Sequence, residues 1–206
     1  MDNNNIIISV GRQLGCGGHV IAAILAEAFG CKLYDKELLN LAAKESGFCE
    51  SFFKENDEQK GFFKSTVYTH MPFLSSSSFY NNKLSQESLF QFQSDAIRKA
   101  AEERSCVFVG RCADYVLRDN PRMVSIFISA DIDERAARIA DERGCDKETA
   151  IRIITTRENE RANYYNYYTG KKWGHSASYD LCINSSRLGM EDTAEIIKMF
   201  IKKKLG

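Results

Sequence analysis

A glycine-rich stretch near the start of the chain has residue types that suit phosphate binding. It runs from Gly11 to Gly18, and a segment rich in helix formers follows it. Glycine lets the backbone turn so that several N–H groups converge on one anion, and the dipole of the following helix adds a favourable potential. The residues of this predicted anion site are Gly11, Gly15, Cys16, Gly17, Gly18 and His19. The alternative is a tight turn that only joins a strand to its helix.

Arginines in separate segments are candidates to place positive charge beside a phosphate. Phosphoryl transfer requires positioning and positive charge around oxygens that develop negative charge. Arg12 lies in the glycine-rich stretch, and Arg111 directly follows an apolar run. Arg157 and Arg161 are four residues apart, which places them on one face of a helix. The planar arginine group binds two oxygens at once. The alternative for each is a solvated arginine in a surface salt bridge.

Two carboxylates follow predicted strands at the same edge of the sheet. Asp35 ends the second apolar run, which favours a position near the accepting group or a magnesium ion. The alternative is that Asp35 caps the next helix. Asp114 lies one helical turn after Arg111 and is a candidate to orient it or to bind metal or acceptor. The alternative is that Asp114 only complements the dipole of its helix. The predicted catalytic residues are Arg12, Arg111, Arg157, Arg161 and Asp35.

A dense aromatic group follows the last of these arginines. Such a group either stacks a nucleobase or packs against a neighbouring element, and helical spacing favours packing. Its members are Tyr164, Tyr165, Tyr167, Tyr168 and Trp173.

Alternating strand and helix patterns predict the elements that position these residues. Five short apolar runs are present, and most are continuous, as expected of strands buried on both faces of a parallel sheet. The runs are residues 6–10, 31–34, 106–109, 123–128 and 181–183. Helical patterns cover residues 19–29, 85–103, 133–143, 147–168 and 191–204. This order predicts right-handed βαβ crossovers and an α/β fold with one parallel sheet.

Residues 46–84 interrupt that alternation. The segment contains two Phe-Phe pairs, four consecutive serines at 75–78 and Pro72, one of two prolines in the chain. It is either a surface excursion of poor order or an inserted lobe that binds substrate.

Composition and charge exclude several classes of partner. The 206 residues suit a single domain, 1–206. Lysine plus arginine and aspartate plus glutamate each total 28, so no global basic field exists to hold a nucleic-acid polymer or an anionic membrane. The start of the chain lacks signal-peptide features, and no apolar run has the length of a membrane span. We expect small molecules as partners, and the sequence leaves homo-oligomerisation open.

The cysteines and histidines predict a cytoplasmic protein without a dedicated metal site. The seven cysteines include no C-x-x-C pair and are odd in number, which fits reduced, packed thiols. The three histidines are far apart and show no zinc spacing.

Several further segments keep a recognisable order along the chain. They read IIISVGRQLGCGGHVIAAILAEAFGCKLYDKELL, VFVGRCADYVLRDNP, IFISADIDERAARI, RENERANYYNYYTGKKWG and YDLCINSS. Together they resemble the cytidylate kinase-like family, which is part of the P-loop nucleoside-monophosphate kinase superfamily. The similarity covers most of the chain but omits residues 46–84, and several motifs in order are more specific than one glycine turn.

The resemblance implies a fold and an activity. The fold would be a P-loop NTPase-type three-layer α/β domain with a five-stranded parallel sheet and helices on both faces. Residues 46–84 would be the inserted acceptor-binding lobe, and residues 135–175 would be a helical lid. The activity would be transfer of the ATP γ-phosphate to a nucleoside monophosphate, with ATP and Mg²⁺ as cofactors and a pyrimidine monophosphate as the default acceptor.

The resemblance also implies roles for individual residues. Arg111 would hold the acceptor phosphate, and lid arginines would close over both phosphates. Glu158 would lie near the acceptor nucleoside. The cofactor-binding residues would be Gly11, Gly15, Cys16, Gly17, Gly18, His19 and Arg135. The substrate-binding residues would be Asp35, Arg111, Asp114, Glu158 and Arg161.

One departure from the standard P-loop, G-x-x-x-x-G-K-[ST], affects the chemistry. Arg12 stands at the first glycine, Gly18 at the lysine, and His19 or Val20 at the serine or threonine that binds magnesium. We predict that Arg12 supplies the missing charge, with His19 as the second candidate; the alternative for Arg12 is a solvated turn arginine. Two other functions stay open because fold does not fix substrate. They are a non-catalytic nucleotide-binding or regulatory protein and a kinase of another small metabolite.

Overall fold

The computed structural model describes residues 5–35 and 76–206 of the chain. The strands are β1 (Ile7–Arg12), β2 (Lys32–Tyr34), β3 (Cys106–Val109), β4 (Met123–Ser129) and β5 (Leu181–Asn184). The helices are α1 (Gly18–Ala28), α2 (Ser76–Glu103), α3 (Ala113–Val116), α4 (Ile132–Arg143), α5 (Lys147–Thr169) and α6 (Gly189–Leu205). Short 3₁₀ turns at Ser176–Ser178 and Ser185–Arg187 flank β5.

The five strands form one sheet in the order β2-β3-β1-β4-β5, and every neighbouring pair is parallel. β1 is central, and its Val10 pairs with Val109 of β3 and Ile126 of β4. The predicted five-stranded parallel sheet is therefore confirmed. Since the carboxyl ends of parallel strands meet at one edge, the segments that follow β1, β2 and β3 lie side by side there.

The two faces of the sheet are covered by different helices, as predicted. Ile8 and Val10 point into a core shared with α1 and α6, whereas Ile7 points into a core shared with α2 and α3. This alternation follows from the two-residue repeat of a strand. Both cores are fully apolar at their centres, which fixes the register of β1 and the position of the loop after it.

A third, smaller core joins α4 to α5. It is formed by Ala136 and Ile139 of α4 with Ala150 and Ile154 of α5, and Leu14 from the loop after β1 packs against it. α4 ends at Gly144 in a left-handed conformation, and Asp146 caps α5 by accepting a hydrogen bond from the Thr149 N–H group. The glycine-rich loop is thus anchored in the core of this helix pair.

Helix α2 begins earlier than its sequence pattern indicated. It starts at Ser76, so residues 76–84 of the predicted lobe belong to this helix. Serine and asparagine dominate its first turns, and these residues usually favour caps and turns over helix interiors. Residues 46–75 lie outside the described ranges, and the acceptor-binding lobe assigned to them stays a prediction. No helix in the described ranges has the length and apolarity to cross a membrane.

The chain leaves β3 through a turn of three successive left-handed residues. Gly110, Arg111 and Cys112 have φ angles of 79°, 57° and 55°. For a residue with a Cβ atom this conformation costs about 1–2 kcal/mol. A Cβ atom at Gly110 would also displace Nη1 of Arg12, so glycine at this position avoids backbone strain and leaves room for the guanidinium.

Glycine at position 111 should give a more stable protein than alanine there. In a helix or strand, glycine is about 0.5–1 kcal/mol less stable than alanine. The left-handed φ of Arg111 reverses that order, and we expect Arg111→Gly to exceed Arg111→Ala in unfolding free energy by about 1 kcal/mol. Urea unfolding measures the difference. At the exposed helical position Arg152 the same pair should keep the usual order; the usual order at position 111 would contradict the strained turn.

Candidate functional site

Four carbonyl groups, one at the end of β1 and three in the loop between β1 and α1, accept hydrogen bonds from side chains elsewhere in the fold. Three donors are arginines of α4 and α5, and the fourth is a serine after β5. The pairs are Arg161 Nη1 to the Arg12 carbonyl (3.0 Å), Arg135 Nη1 to the Leu14 carbonyl (3.4 Å), Arg138 Nη1 to the Gly15 carbonyl (2.8 Å) and Ser185 Oγ to the Cys16 carbonyl (2.8 Å). These bonds hold the loop open and fix the direction of its peptide groups.

The N–H groups of the same loop are available for an anion. Across the described ranges, the N–H groups of Gly15 and Gly17 have no hydrogen-bond acceptor. The first N–H groups of α1 lack intrahelical partners by geometry, as at any helix start. Gly15 and Gly17 have φ angles of 79° and 77°, which glycine adopts without strain. The loop therefore offers backbone donors to an anion, and phosphate binding there stays a prediction.

Arg12 lies across the position where a standard P-loop has its lysine. It is the last residue of β1, not part of the loop as its place in the sequence suggested. A Cβ atom at Gly18 would lie 2.7 Å from Cβ of Arg12, and one at Gly110 would lie 2.3 Å from its Nη1. The side chain thus runs over Gly18 and ends over Gly110. A side chain at position 18 would overlap the side chain of Arg12. The arginine at position 12 and the glycine at position 18 therefore depend on each other.

A cavity of about 450 Å³ opens beside Arg12 at the carboxyl ends of β1 and β3. Two kinds of side chain dominate its wall, together with the carboxylates of Asp114 and Glu160. The cationic side chains are Arg12, Arg111, Arg157 and Arg161, and the aromatic ones are Tyr164, Tyr165, Trp173 and Tyr179. The structure brings all four arginines predicted as catalytic into this one cavity. An anionic, partly aromatic molecule matches such a wall.

The positive charges in this cavity are only partly compensated. Burial, together with the charges of the nearby Arg161 and Arg111, lowers the pKa of Arg12 to about 10, although Asp35 acts in the opposite direction. Burial also lowers the pKa of Arg161. The carboxylate of Glu160 is bound to Arg157 at 2.8 Å. Like charges held together out of water favour the binding of an anion. Asp35 does not line the cavity but lies within electrostatic reach of Arg12.

Asp114 forms part of the cavity wall as a buried carboxyl group. It is 4% exposed, and Tyr165 donates its hydroxyl hydrogen bond to Oδ2 at 2.6 Å. Burial raises the pKa of Asp114, although the bond from Tyr165 and the charge of Lys171 act against this. Asp114 was a candidate to orient Arg111, but among the described residues its hydrogen-bond partner is Tyr165.

Arg135 and Glu158 were predicted to bind nucleotide, and in the structure they bind each other. Nη1 of Arg135 lies 2.5 Å from Oε1 of Glu158, and Nε of Arg135 donates to the Ala130 carbonyl at 2.9 Å. The arginine side chain is only 7% exposed, and neither residue lines the cavity. This ion pair ties α4 to α5. A nucleotide-binding role for either residue stays a prediction, as does that of the exposed His19.

The aromatic group both packs and lines the cavity. Tyr168 stacks on Phe90 of α2 with ring centroids 4.0 Å apart, and Trp173 meets Phe127 edge-on at 5.1 Å. The packing prediction is correct for these rings, while Tyr164, Tyr165 and Trp173 also face the cavity. The sequence did not single out Tyr179 and Ser185, which belong to the last quoted segment. Their contacts span long sequence separations, and no local pattern reveals them.

Asp114→Asn should stabilise the protein increasingly as pH rises. Burial raises the pKa of Asp114 above 3.8, so ionisation costs more in the folded than in the unfolded state. Below about pH 3 the carboxyl is protonated in both states, so the difference between variant and wild type does not change with pH there. The gain should grow as pH rises through the raised pKa and then level off.

Urea unfolding between pH 4 and 8 measures this gain. Asp119→Asn is the control, because the Asp119 side chain is 89% exposed and therefore not buried by folding. A gain for Asp114→Asn that does not change with pH would contradict the account of its burial.

Comparison with known proteins agrees with this geometry. The cytidylate kinase of Methanopyrus kandleri is 27% identical over 207 residues, which covers 96% of this chain and 93% of that protein. The structure of an uncharacterized protein from Eubacterium ventriosum superposes with a TM-score of 0.74 at 32% identity, covering 96% of this chain and 99% of that one.

A more distant structure shows the fold alone. Shikimate kinase from Bacteroides thetaiotaomicron has a TM-score of 0.53 at 13% identity, covering 96% of this chain and 98% of that one. The fold is therefore the P-loop kinase type. The family model described as the cytidylate kinase-like family matches residues 7–187. The parallel sheet, the glycine-rich loop and the arginine-lined cavity agree with this match. The chain belongs to the cytidylate kinase-like family.

Proposed function

We propose that this protein transfers the γ-phosphate of ATP to a nucleoside monophosphate, with a pyrimidine monophosphate as the default acceptor. The observation that carries the proposal is Arg12, whose side chain reaches from the glycine loop to the arginine-lined cavity. A donor phosphate in the loop and an acceptor phosphate in the cavity would meet at this guanidinium. Kinship with the cytidylate kinases supports the same reaction.

The loop is the donor side of this site. Its free N–H groups and the start of α1 would hold the donor phosphates, and the bonded carbonyls keep the loop from collapsing. Magnesium bound to ATP would draw negative charge from the phosphates. The described residues contain no cluster of three or more metal-binding side chains. Magnesium usually keeps several waters and needs one or two carboxylates, so Asp35 is our candidate ligand.

The cavity is the acceptor side. Arg111 and Arg161 would bind the acceptor phosphate, since their forks suit its oxygens, and Arg157 would approach from the rim. The aromatic wall would contact the nucleoside, and Asp114 would accept hydrogen bonds from its polar edge. Arg12 would then bear the charge that develops during transfer, in place of the missing lysine. No covalent intermediate is needed.

A turnover screen tests this function. ATP with Mg²⁺ is offered with each nucleoside monophosphate and with other small phosphorylated or hydroxylated acceptors, and ADP release is measured. Turnover with a monophosphate supports the proposal. Turnover only with another acceptor favours a metabolite kinase. Binding of ATP without any turnover favours the second candidate, a non-catalytic nucleotide-binding or regulatory protein, for which glycine at position 18 is the supporting observation.

Removing the guanidinium of Arg12 should abolish transfer while the domain stays folded. We expect Arg12→Ala to lower kcat by about 10²-fold or more and to change KM less, as for a preorganised charge that acts in the transition state. Stability should be retained, because a buried cation beside Arg161 and Arg111 is not a stabilising group. Arg152→Ala, on the exposed face of α5, is the control. A kcat for Arg12→Ala near that of wild type would refute the assignment.

Because Arg12 and Gly18 depend on each other sterically, substitutions at these two positions should have non-additive effects on stability and turnover. Gly18→Lys alone should lower the unfolding free energy by about 1–3 kcal/mol, because its Cβ overlaps the arginine stem. In Arg12→Gly/Gly18→Lys that overlap is absent and the lysine enters the vacated space. We expect this double variant to be more stable than Gly18→Lys and to turn over faster than Arg12→Gly.

Thermal unfolding and single-turnover kinetics on the four proteins measure this coupling. Strictly additive effects on both stability and rate would show that the two positions act independently, against the contact between them.

We also propose a cytoplasmic location and small-molecule nucleotides as partners. The six cysteines in the described ranges are free thiols, which fits a reducing compartment.

A further inference from the structure

Arg111 is held by an aromatic ring instead of a carboxylate. Its Cζ atom lies 5.3 Å from the centroid of the Tyr164 ring, within the range of a cation–π contact. Among the described residues it forms no salt bridge, unlike Arg135 and Arg157. The left-handed turn directs its side chain toward this ring and the cavity. A carboxylate would orient the arginine but also neutralise it, whereas a ring orients it and leaves its charge and N–H groups for a ligand.

Tyr164 is itself fixed by contacts from two helices. Its hydroxyl donates a hydrogen bond to Oε1 of Gln93 at 3.3 Å, and Gln93 of α2 is 1% exposed. Its ring meets Phe90 edge-on at 6.3 Å and Tyr168 at 4.7 Å. The ring is therefore a rigid platform built from α2 and α5.

Such a platform matters because the arginine would otherwise move. A long arginine side chain has about 2 kcal/mol of rotamer entropy to lose when it is fixed. Arg12 and Arg161 line the same cavity, and their like charge repels Arg111 toward solvent. The negative face of the Tyr164 ring opposes that repulsion and holds the guanidinium at the cavity wall.

We propose that Tyr164 is a positioning residue that preorganises Arg111 to bind the phosphate of the acceptor. The residue acts through Arg111 and touches neither the transferred group nor the donor. The identity of the ligand as an acceptor phosphate rests on the proposed function, whereas the preorganisation of an anion site by the ring does not. The guanidinium also lies within reach of the Tyr164 hydroxyl, so comparing phenylalanine with leucine at position 164 separates the effect of the ring, which we expect to be the larger, from that of the hydroxyl.

Substitutions at Tyr164 separate this role from packing. Tyr164→Leu should raise KM for the acceptor by about 2- to 30-fold, the range of cation–π contacts from exposed to desolvated sites, with kcat within about twofold of wild type. Tyr164→Phe keeps the ring and should restore most of the affinity. Tyr168→Leu is the matched control, because Tyr168 packs in the same aromatic cluster but forms no cation–π contact with Arg111.

Titration with inorganic phosphate, by calorimetry and without nucleotide, distinguishes failure of this proposal from failure of the proposed function. The order of affinity should be wild type and Tyr164→Phe above Tyr164→Leu, even where no nucleotide is turned over. In Arg111→Met the Tyr164→Leu substitution should have no further effect. Equal phosphate affinity of Tyr164→Leu and wild type, or equal loss in the phenylalanine variant, would overturn the proposal.

Unfolding in urea supplies a readout that needs no ligand. The double-mutant cycle of Arg111→Met and Tyr164→Leu should show a coupling of at least about twofold in the unfolding equilibrium constant. Zero coupling there would also overturn the proposal.

Discussion

The path of the Arg12 side chain is the constraint on which the rest of the site depends. It leaves the end of the central strand, lies over Gly18 and ends over Gly110. A side chain at Gly18 would overlap the stem of Arg12, and the left-handed turn after β3 places Arg111 at the same cavity. One arginine thereby joins the start of α1 to the end of the neighbouring strand β3.

Arginines perform two different tasks in this fold. Arg135 and Arg138 bind loop carbonyls and carboxylates, so their charge is used within the protein. Arg12 and Arg111 face the cavity with incomplete compensation, and their charge is left for a ligand. Arg161 combines both tasks, because it binds the Arg12 carbonyl and lines the cavity. Arg135 and Arg138 thus fix the glycine-rich loop, whereas Arg12 and Arg111 give the cavity its positive charge.

The sequence predicted the sheet, both helical layers and the four cavity arginines, because apolar runs and residue types directly after strands are local signals. It missed contacts that depend on tertiary geometry. The bond of Ser185 to the loop joins residues 169 positions apart, and the pairing of Arg135 with Glu158 depends on how α4 crosses α5. The early start of α2 at Ser76 was also missed, since the serines and asparagines of its first turns usually favour caps and turns over helix interiors.

Leu14 couples the motion of the helix pair to the shape of the glycine loop. This side chain is seated in the apolar core between α4 and α5, so the loop and the two helices share one packed unit. Packed cores change between discrete arrangements and do not deform gradually. A displacement of α4 and α5 would therefore pull on the loop at the same time, unless Leu14 first left this packing contact.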